Sequence, residues 1–354
     1  MKAMIMAAGV GSRLMPLTAD IPKPMVPMAN RHLMEYIVSL LVEHGFNQVI
    51  SNLYYHADTI SQHFLDGSSY GASMLYSREE ELMGTAGGVK KCAWFLDDTF
   101  VIVSGDALTD VDLTYLVKEH KRQGALATIA VKEVEAVEQF GIVVTNENGR
   151  IHSFQEKPRR QEAQSNQANT GIYVFEPEIF DFIPERQFYD FGKQVFPHLV
   201  KIGAPFYGVS INNYWCDVGS IDTYYQSHID ILEGRVNVWP NGYLKVSEKG
   251  TVLLGEGVSL GDNVEIAGTC VIGPGCRIED GAVINNAIIW NNTVIRDRAI
   301  VEGCIIGANC YLGCSVAVKS SVIASGCQLD DYIKPPAGSK LYNSGAGQIK
   351  LEVG

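Results

Sequence analysis

No apolar run in this 354-residue chain approaches the ~20 residues of a membrane-crossing helix. The apolar stretch from Ala3 to Val10 is too short for an export signal, and Arg13 closes it early. Positive charge is scarce, with 28 Lys and Arg against 40 Asp and Glu. The resulting −12 repels polyphosphate backbones at long range, so nucleic acid is not an expected partner and any phosphate site must be local. Eight cysteines without an export signal point to a reducing compartment, which makes a cytoplasmic location the expectation.

What is present divides in two. As far as about Arg235, short β-rich runs alternate with helix-period segments, the pattern of strands joined by helical crossovers. Strands are expected at 2–7, 48–53, 99–103 and 125–131, and helices at 32–43, 57–64 and 113–123. Such alternation implies a mainly parallel sheet covered by helices. Between Gly141 and Glu156 two β runs flank Asn148-Gly149, a hairpin turn signal, so a mixed region interrupts the parallel sheet.

After Val236 the helical period disappears. Leu254, Leu260, Ile266, Ile272, Ile278 and Ile284 recur every six residues. Ile272, Ile289, Ile306 and Ile323 then recur every 17, as do Ile278, Ile295 and Leu312, and also Ile284, Val301 and Val318. Two steps of six and one of five describe three short strands per coil, hence a three-sided solenoid. Cys276, Cys310 and Cys327 fall in one stack, and Cys270 with Cys304 in another. Thr293 and Ala287 fill the missing rungs and cannot ligate a soft metal, so small residues at tight corners explain the cysteines better than metal binding. These coils resemble the hexapeptide-repeat family of left-handed parallel β-helices.

The first strand runs into Ala8-Gly9-Val10-Gly11-Ser12-Arg13-Leu14, a glycine-rich turn at the edge where open sheets bind ligands. It is neither the dinucleotide fingerprint, which needs a third glycine, nor the P-loop, which needs Gly-Lys-Ser/Thr. Arg13 and Lys23, ten residues apart on a stretch stiffened by Pro16, Pro22, Pro24 and Pro27, offer two cations for a polyphosphate at little ordering cost. Asp106 follows the apolar strand 99–103, and Asp217 lies in Trp215-Cys-Asp-Val-Gly. Two carboxylates beside a triphosphate are the usual minimal protein ligation of Mg²⁺. Asp110 and Asp112 lie near, and Asp112 precedes a helical segment as an N-cap would.

Gly9-x-Gly11-x-Arg13-Leu14-x-Pro16-Leu17-Thr18 with Pro22-Lys23-Pro24 resembles the signature of the sugar-phosphate nucleotidyltransferases, or NDP-sugar pyrophosphorylases. The resemblance implies a Rossmann-like, mainly parallel α/β domain over 1–235, a linker over 236–250, a left-handed β-helix over 251–332 and a cap or arm over 333–354. It implies that Arg13 grips the pyrophosphate leaving group, Lys23 the α-phosphate, and Asp106 and Asp217 the Mg²⁺. Ala8, Gly9, Gly11, Gly84, Thr85 and Gly105 would contact the nucleotide, with the stretch 79–88 lining the base pocket. Gly141, Glu156, Lys157, Asn169, Gly171 and Lys193 would hold the sugar phosphate. The phrase Leu82-Met83-Gly84-Thr85-Ala86-Gly87 is most similar to mannose-1-phosphate guanylyltransferases, which implies GTP with mannose 1-phosphate. The stretches 99–112 and 215–217 are similar to chains that activate glucose with UTP.

Hexapeptide acyltransferases use a histidine base between coils, and none of the eight histidines lies in the solenoid. A catalytically silent regulatory subunit would not need the intact Arg13, Lys23, Asp106, Lys157 and Asp217. The coils are therefore expected to mediate assembly into a homo-oligomer, with Trp290 and Tyr311 as apolar surface positions that supply part of the contact.

Overall fold

Apolar residues on both faces of Lys2–Met6 and Phe100–Ser104 suit strands covered on both sides, and Ala3, Met4, Ile5, Val101, Ile102 and Val103 are all fully buried. The computed structural model, which describes residues 1–344 and 349–353, pairs these two strands in parallel at the centre of a nine-stranded sheet. Gln48–Leu53 and then Ser73–Arg78 extend the sheet in parallel on one side. On the other side Gln167–Phe175 runs antiparallel to Phe100–Ser104 and also pairs with Ala127–Glu133 and Gly141–Thr145. The hairpin forms as expected: Gly141–Thr145 and Ile151–Glu156 are antiparallel, and Gly149 takes the left-handed conformation at φ 79°. Helices form at Leu33–Glu43, Ala57–Phe64 and Leu113–Arg122, each close to its expected span. Among the described residues no helix is long and apolar enough to cross a membrane.

The chain divides into two compact units, one of residues 1–10 and 34–217, the other of residues 11–33 and 218–354. The first holds the mixed sheet and a core rich in aromatic rings. Phe191, Phe196 and Phe206 are fully buried there, with Phe196 stacked on both others at 5.4 and 5.1 Å.

In the second unit the solenoid register is the one the repeat implies. Ile272, Ile289, Ile306 and Ile323 pair in sequence along one parallel ladder. Ile278, Ile295, Leu312 and Leu329 form a second ladder, and Ile284, Val301 and Val318 a third. Leu254 pairs with Ile272, so the first coil is one residue longer than those that follow. A buried Ile or Leu is worth about 2 kcal/mol, and these coils bury theirs largely against one another. One corner row, Gly275, Asn292, Asn309 and Gly326, sits at φ between 55° and 72°, the left-handed region that glycine and asparagine enter most readily.

The cysteine stack has a hydrogen-bonding logic. The Cys276 thiol donates to the Trp290 carbonyl at 2.9 Å and the Cys310 thiol to the Ala324 carbonyl at 3.2 Å, each fourteen residues ahead. Thr293 donates its hydroxyl to the Gly307 carbonyl at 2.9 Å in the same way. Burial pushes the thiols up to about 11 at Cys276 and Cys327 and about 12 at Cys310, so all three stay protonated donors. The ladder ends in Ser339–Asn343, which pairs with Val322–Ile323 on one side and with Ile349–Val353 on the other. Of the expected cap, residues 345–348 and 354 lie outside the described part.

Trp290 corrects the sequence reading. It is not a surface residue: it is 3% exposed and its indole N–H donates to the Tyr224 hydroxyl at 2.9 Å. A repeat pattern separates inward from outward positions but cannot say which outward position another segment covers. Tyr311 is half-buried and its hydroxyl accepts from Arg296 at 3.0 Å.

Candidate functional site

Parallel strands bring their carboxyl ends to one edge, and the first unit collects polar groups there. Gly105 packs so tightly that a Cβ would lie 2.9 Å from Ile5 and 3.1 Å from the Met6 carbonyl, to which its own N–H donates at 2.9 Å. Only glycine lets the exit of Phe100–Ser104 nest against the exit of Lys2–Met6, which sets Asp106 one residue beyond that contact. Ser104 donates its hydroxyl to Asp106 Oδ1 at 2.5 Å.

Trp215–Asp217 pairs antiparallel with Ala107–Thr109, Asp217 opposite Ala107. Both Asp106 and Asp217 are half-buried. Hard carboxylate oxygens on adjoining strand ends form a donor set that suits a divalent cation. The turn before Trp215 is held from below: Asp110 accepts from the Tyr214 N–H at 2.7 Å, and Thr109 donates to the Tyr214 carbonyl at 2.7 Å. Asp112 accepts from the Tyr115 N–H at 2.8 Å as the N-cap of Leu113–Arg122, the capping role its place in the sequence implies.

The second group surrounds Glu156. Glu156 pairs with Gly141, where a Cβ would lie 2.6 Å from Phe154 and 3.1 Å from the Glu156 carboxylate. A Cβ on Gly192 would lie 2.5 Å from the same carboxylate. Desolvation of its carboxyl end, and then Asp190 nearby, hold the Glu156 pKa above the ordinary glutamate range, with Lys157 and Lys193 pulling the other way. Lys157 takes a left-handed backbone at φ 46° while its N–H donates to the Phe140 carbonyl at 3.1 Å. That conformation turns the chain immediately after Glu156.

Asp190 is a residue whose importance the sequence did not reveal. Its carboxylate accepts from the Gly192 and Lys193 N–H groups at 3.0 and 3.2 Å and from the Thr85 hydroxyl at 3.0 Å. Ala86 and Gly87 both donate to the Tyr189 carbonyl at 3.0 Å, and a Cβ on Gly84 would lie 2.5 Å from that oxygen. The segment with Gly84 and Thr85 is thus zipped to the segment with Lys193, and the Thr85 hydroxyl is engaged in that contact.

Asn169 also serves the backbone: its amide donates to the Tyr173 hydroxyl at 3.1 Å and accepts from the Gly171 N–H at 3.1 Å. Between them Gly171 sits at φ 75° in a bulge, 3.2 Å from the Ser104 Cβ if it carried a side chain. The Trp215 indole donates to the Thr170 carbonyl at 2.9 Å and ties that bulge to the strand bearing Asp217. Sequence reading also missed a buried relay. Asn52 accepts from the Ala7 N–H at 3.0 Å and donates to Glu79 at 2.7 Å, and Glu79 accepts from the Met83 N–H at 3.0 Å. Glu79 is therefore spent inside the fold, while Glu80, Glu81, Leu82 and Met83 border a cavity of about 680 Å³ shared with Trp94 and Phe188.

In the second unit Arg13 lies exposed in the turn Ser12–Leu14, and Lys23 is 6% exposed at the start of Lys23–Met25. Gly11 takes φ 69°, and a Cβ on it would lie 2.8 Å from the Lys23 Cβ. Its carbonyl accepts from the Thr18 hydroxyl at 2.9 Å, so the two glycine-loop ends close on each other.

The mixed, mainly parallel sheet covered by helices is an α/β fold with polar groups gathered at one edge. Residues 2–234 match the family model described as nucleotidyl transferase, and the chain belongs to that family. Residues 248–334 match the model described as GMPPB C-terminal domain. The UTP–glucose-1-phosphate uridylyltransferase of Synechocystis sp. is 46% identical over 250 residues, 67% of this chain and 64% of that protein. The mannose-1-phosphate guanylyltransferase of Mycobacterium tuberculosis is 33% identical over 234 residues, 66% of this chain and 65% of that protein. The match thus spans less than two thirds of these relatives' own length. A solved Bacillus anthracis chain assigned as a glucose-1-phosphate thymidylyltransferase superposes with a TM-score of 0.59 at 24% identity, covering 64% of this chain and 94% of that one, a likeness of fold.

Proposed function

We propose that the protein is a sugar-1-phosphate nucleotidylyltransferase that makes an NDP-sugar and pyrophosphate. The observation that carries the reading is the ladder joining Asp217 to the strand beginning one residue after Asp106, at the sheet edge where the glycine turn begins. In the proposed reaction a phosphate oxygen of the sugar 1-phosphate attacks the α-phosphorus in line. The new P–O bond forms as the bond to pyrophosphate breaks. The nucleophile is already an anion at neutral pH, so no general base is required.

Asp106 and Asp217 would hold Mg²⁺, which neutralises charge on the triphosphate when bound. Arg13 would take charge developing on the leaving pyrophosphate and Lys23 that on the α-phosphate. Ala8, Gly9, Gly11, Gly84, Thr85 and Gly105 form the nucleotide set. Glu156, Asn169, Gly141 and Gly171 would bind and shape the sugar site, and Lys157 and Lys193 its phosphate. The raised Glu156 supports this role, since a poorly solvated carboxylate gains more from a sugar hydroxyl donor than a hydrated one.

GTP with mannose 1-phosphate is supported by the C-terminal family model and the mycobacterial relative. UTP with glucose 1-phosphate is the second reading, supported by the higher identity of the Synechocystis relative over the segment that bears the candidate site. Sugar 1-phosphate carrying ¹⁸O in the C1–O bridge tests the chemistry: attack by a phosphate oxygen retains the label in the NDP-sugar, and its loss would refute that step.

The β-helix is proposed to support a homo-oligomer, in line with Trp239, Tyr243 and Val246, which are 79%, 68% and 71% exposed at its start. Light scattering that finds only monomer at micromolar concentration would refute it. A cytoplasmic location accords with cysteines that are all free thiols.

A further inference from the structure

Residues 11–33, which carry Arg13 and Lys23, pack with residues 218–354. Buried or partly buried polar contacts join them. The Asn30 amide donates to the Ile272 carbonyl at 3.3 Å, and the Ala29 N–H donates to His228 Nδ1 at 3.3 Å. At the centre is Tyr224, fully buried in the helix Ile221–Leu232, whose hydroxyl donates to the Pro27 carbonyl and accepts from the Trp290 indole at 2.9 Å. Trp290 stands next to Ile289 in the β-helix ladder, and the Cys276 thiol fixes its carbonyl at 2.9 Å.

The geometry points to Trp290 as a positioning residue for Lys23, acting through Tyr224 and Pro27. The path is short. Pro27 lies four residues from Lys23, and the intervening Pro24, Met25 and Val26 are all buried, which leaves the segment little freedom to absorb a shift. A hydroxyl can make one donor bond only. With Trp290 occupying the acceptor side, the Tyr224 hydrogen is directed at Pro27 rather than rotating between alternatives. Loss of the indole donor would free that rotor and loosen the loop. The β-helix on this account contributes to nucleotide affinity as well as to assembly. The inference rests on the proposed role of Lys23 at the α-phosphate.

The test uses full-length Trp290→Phe and Tyr224→Phe. Steady-state pyrophosphate release is expected to show the KM for the nucleoside triphosphate raised about five- to tenfold, with that for the sugar phosphate within about twofold. The effect of Trp290→Phe should vanish when Lys23→Ala is already present, because the two act on one contact. Equal rises in both KM values, or an undiminished effect in the Lys23→Ala background, would overturn the proposal. Hydrogen exchange of residues 22–30 separates this from the reaction itself: faster exchange in Trp290→Phe, confined to that segment, supports positioning even if no substrate pair turns over, and unchanged exchange refutes it.

Discussion

Asp217 pairs with Ala107 across a two-strand antiparallel ladder, so its Cα lies within one register step of Asp106. The arrangement brings two segments more than a hundred residues apart into adjoining register, where both aspartates are half-buried. It predicts that Asp106→Asn and Asp217→Asn each leave the thermal melt nearly unchanged but lower kcat by about 100-fold or more, since each removes half of the carboxylate charge offered to the metal. Near-wild-type turnover in either variant would remove that residue from the metal site.

Lys157→Ala and Gly192→Ala address the second group. Lys157→Ala should raise the KM for sugar phosphate at least tenfold and that for nucleotide little. In Gly192→Ala the new Cβ meets the Glu156 carboxylate at 2.5 Å, so the same selective rise is expected. Equal effects on both substrates would place these residues elsewhere in function.

Burial holds the His228 imidazole neutral, down at about 3, so the unfolded chain takes up a proton that the folded chain refuses. Its contribution to stability is whole above pH about 6.5 and is lost progressively as pH falls towards about 3. Calorimetry of His228→Gln between pH about 7 and 4 should show a shallower fall of Tm than in the wild type. Parallel slopes would show that His228 does not control the acid limb.

Cys310→Thr should fold and melt within about 1 kcal/mol of the parent, because Thr293 already makes the equivalent bond one coil away. Cys310→Leu should destabilise by about 1–3 kcal/mol through overpacking. Denaturant titration distinguishes them, and a stability that responds to zinc would contradict the hydrogen-bonded reading of the stack.

The solenoid was legible because inward positions repeat, and a repeat of 17 leaves a record at Ile272, Ile289, Ile306 and Ile323 that needs no long-range information. The hairpin at Gly149 and the N-cap at Asp112 were legible for a similar reason, since both are local. Asp190, Asn52 and Glu79 were not. Each acts on a partner far along the chain, as Asp190 does on Thr85, and nothing in its neighbours marks it. Glu79 was expected with its neighbours at the base pocket, and its hydrogen bonds to Asn52 and Met83 are what set it apart. Trp290 was misread because its partner, Tyr224, comes from outside the repeat.

Full-length protein with Mg²⁺ should be assayed for pyrophosphate release across ATP, GTP, UTP, CTP and dTTP, each with mannose 1-phosphate and glucose 1-phosphate. A nucleotidylyltransferase of this kind should yield stoichiometric pyrophosphate and NDP-sugar, greatest with GTP and mannose 1-phosphate or with UTP and glucose 1-phosphate, and abolished by EDTA. Folded protein that releases no pyrophosphate with any pair would contradict it.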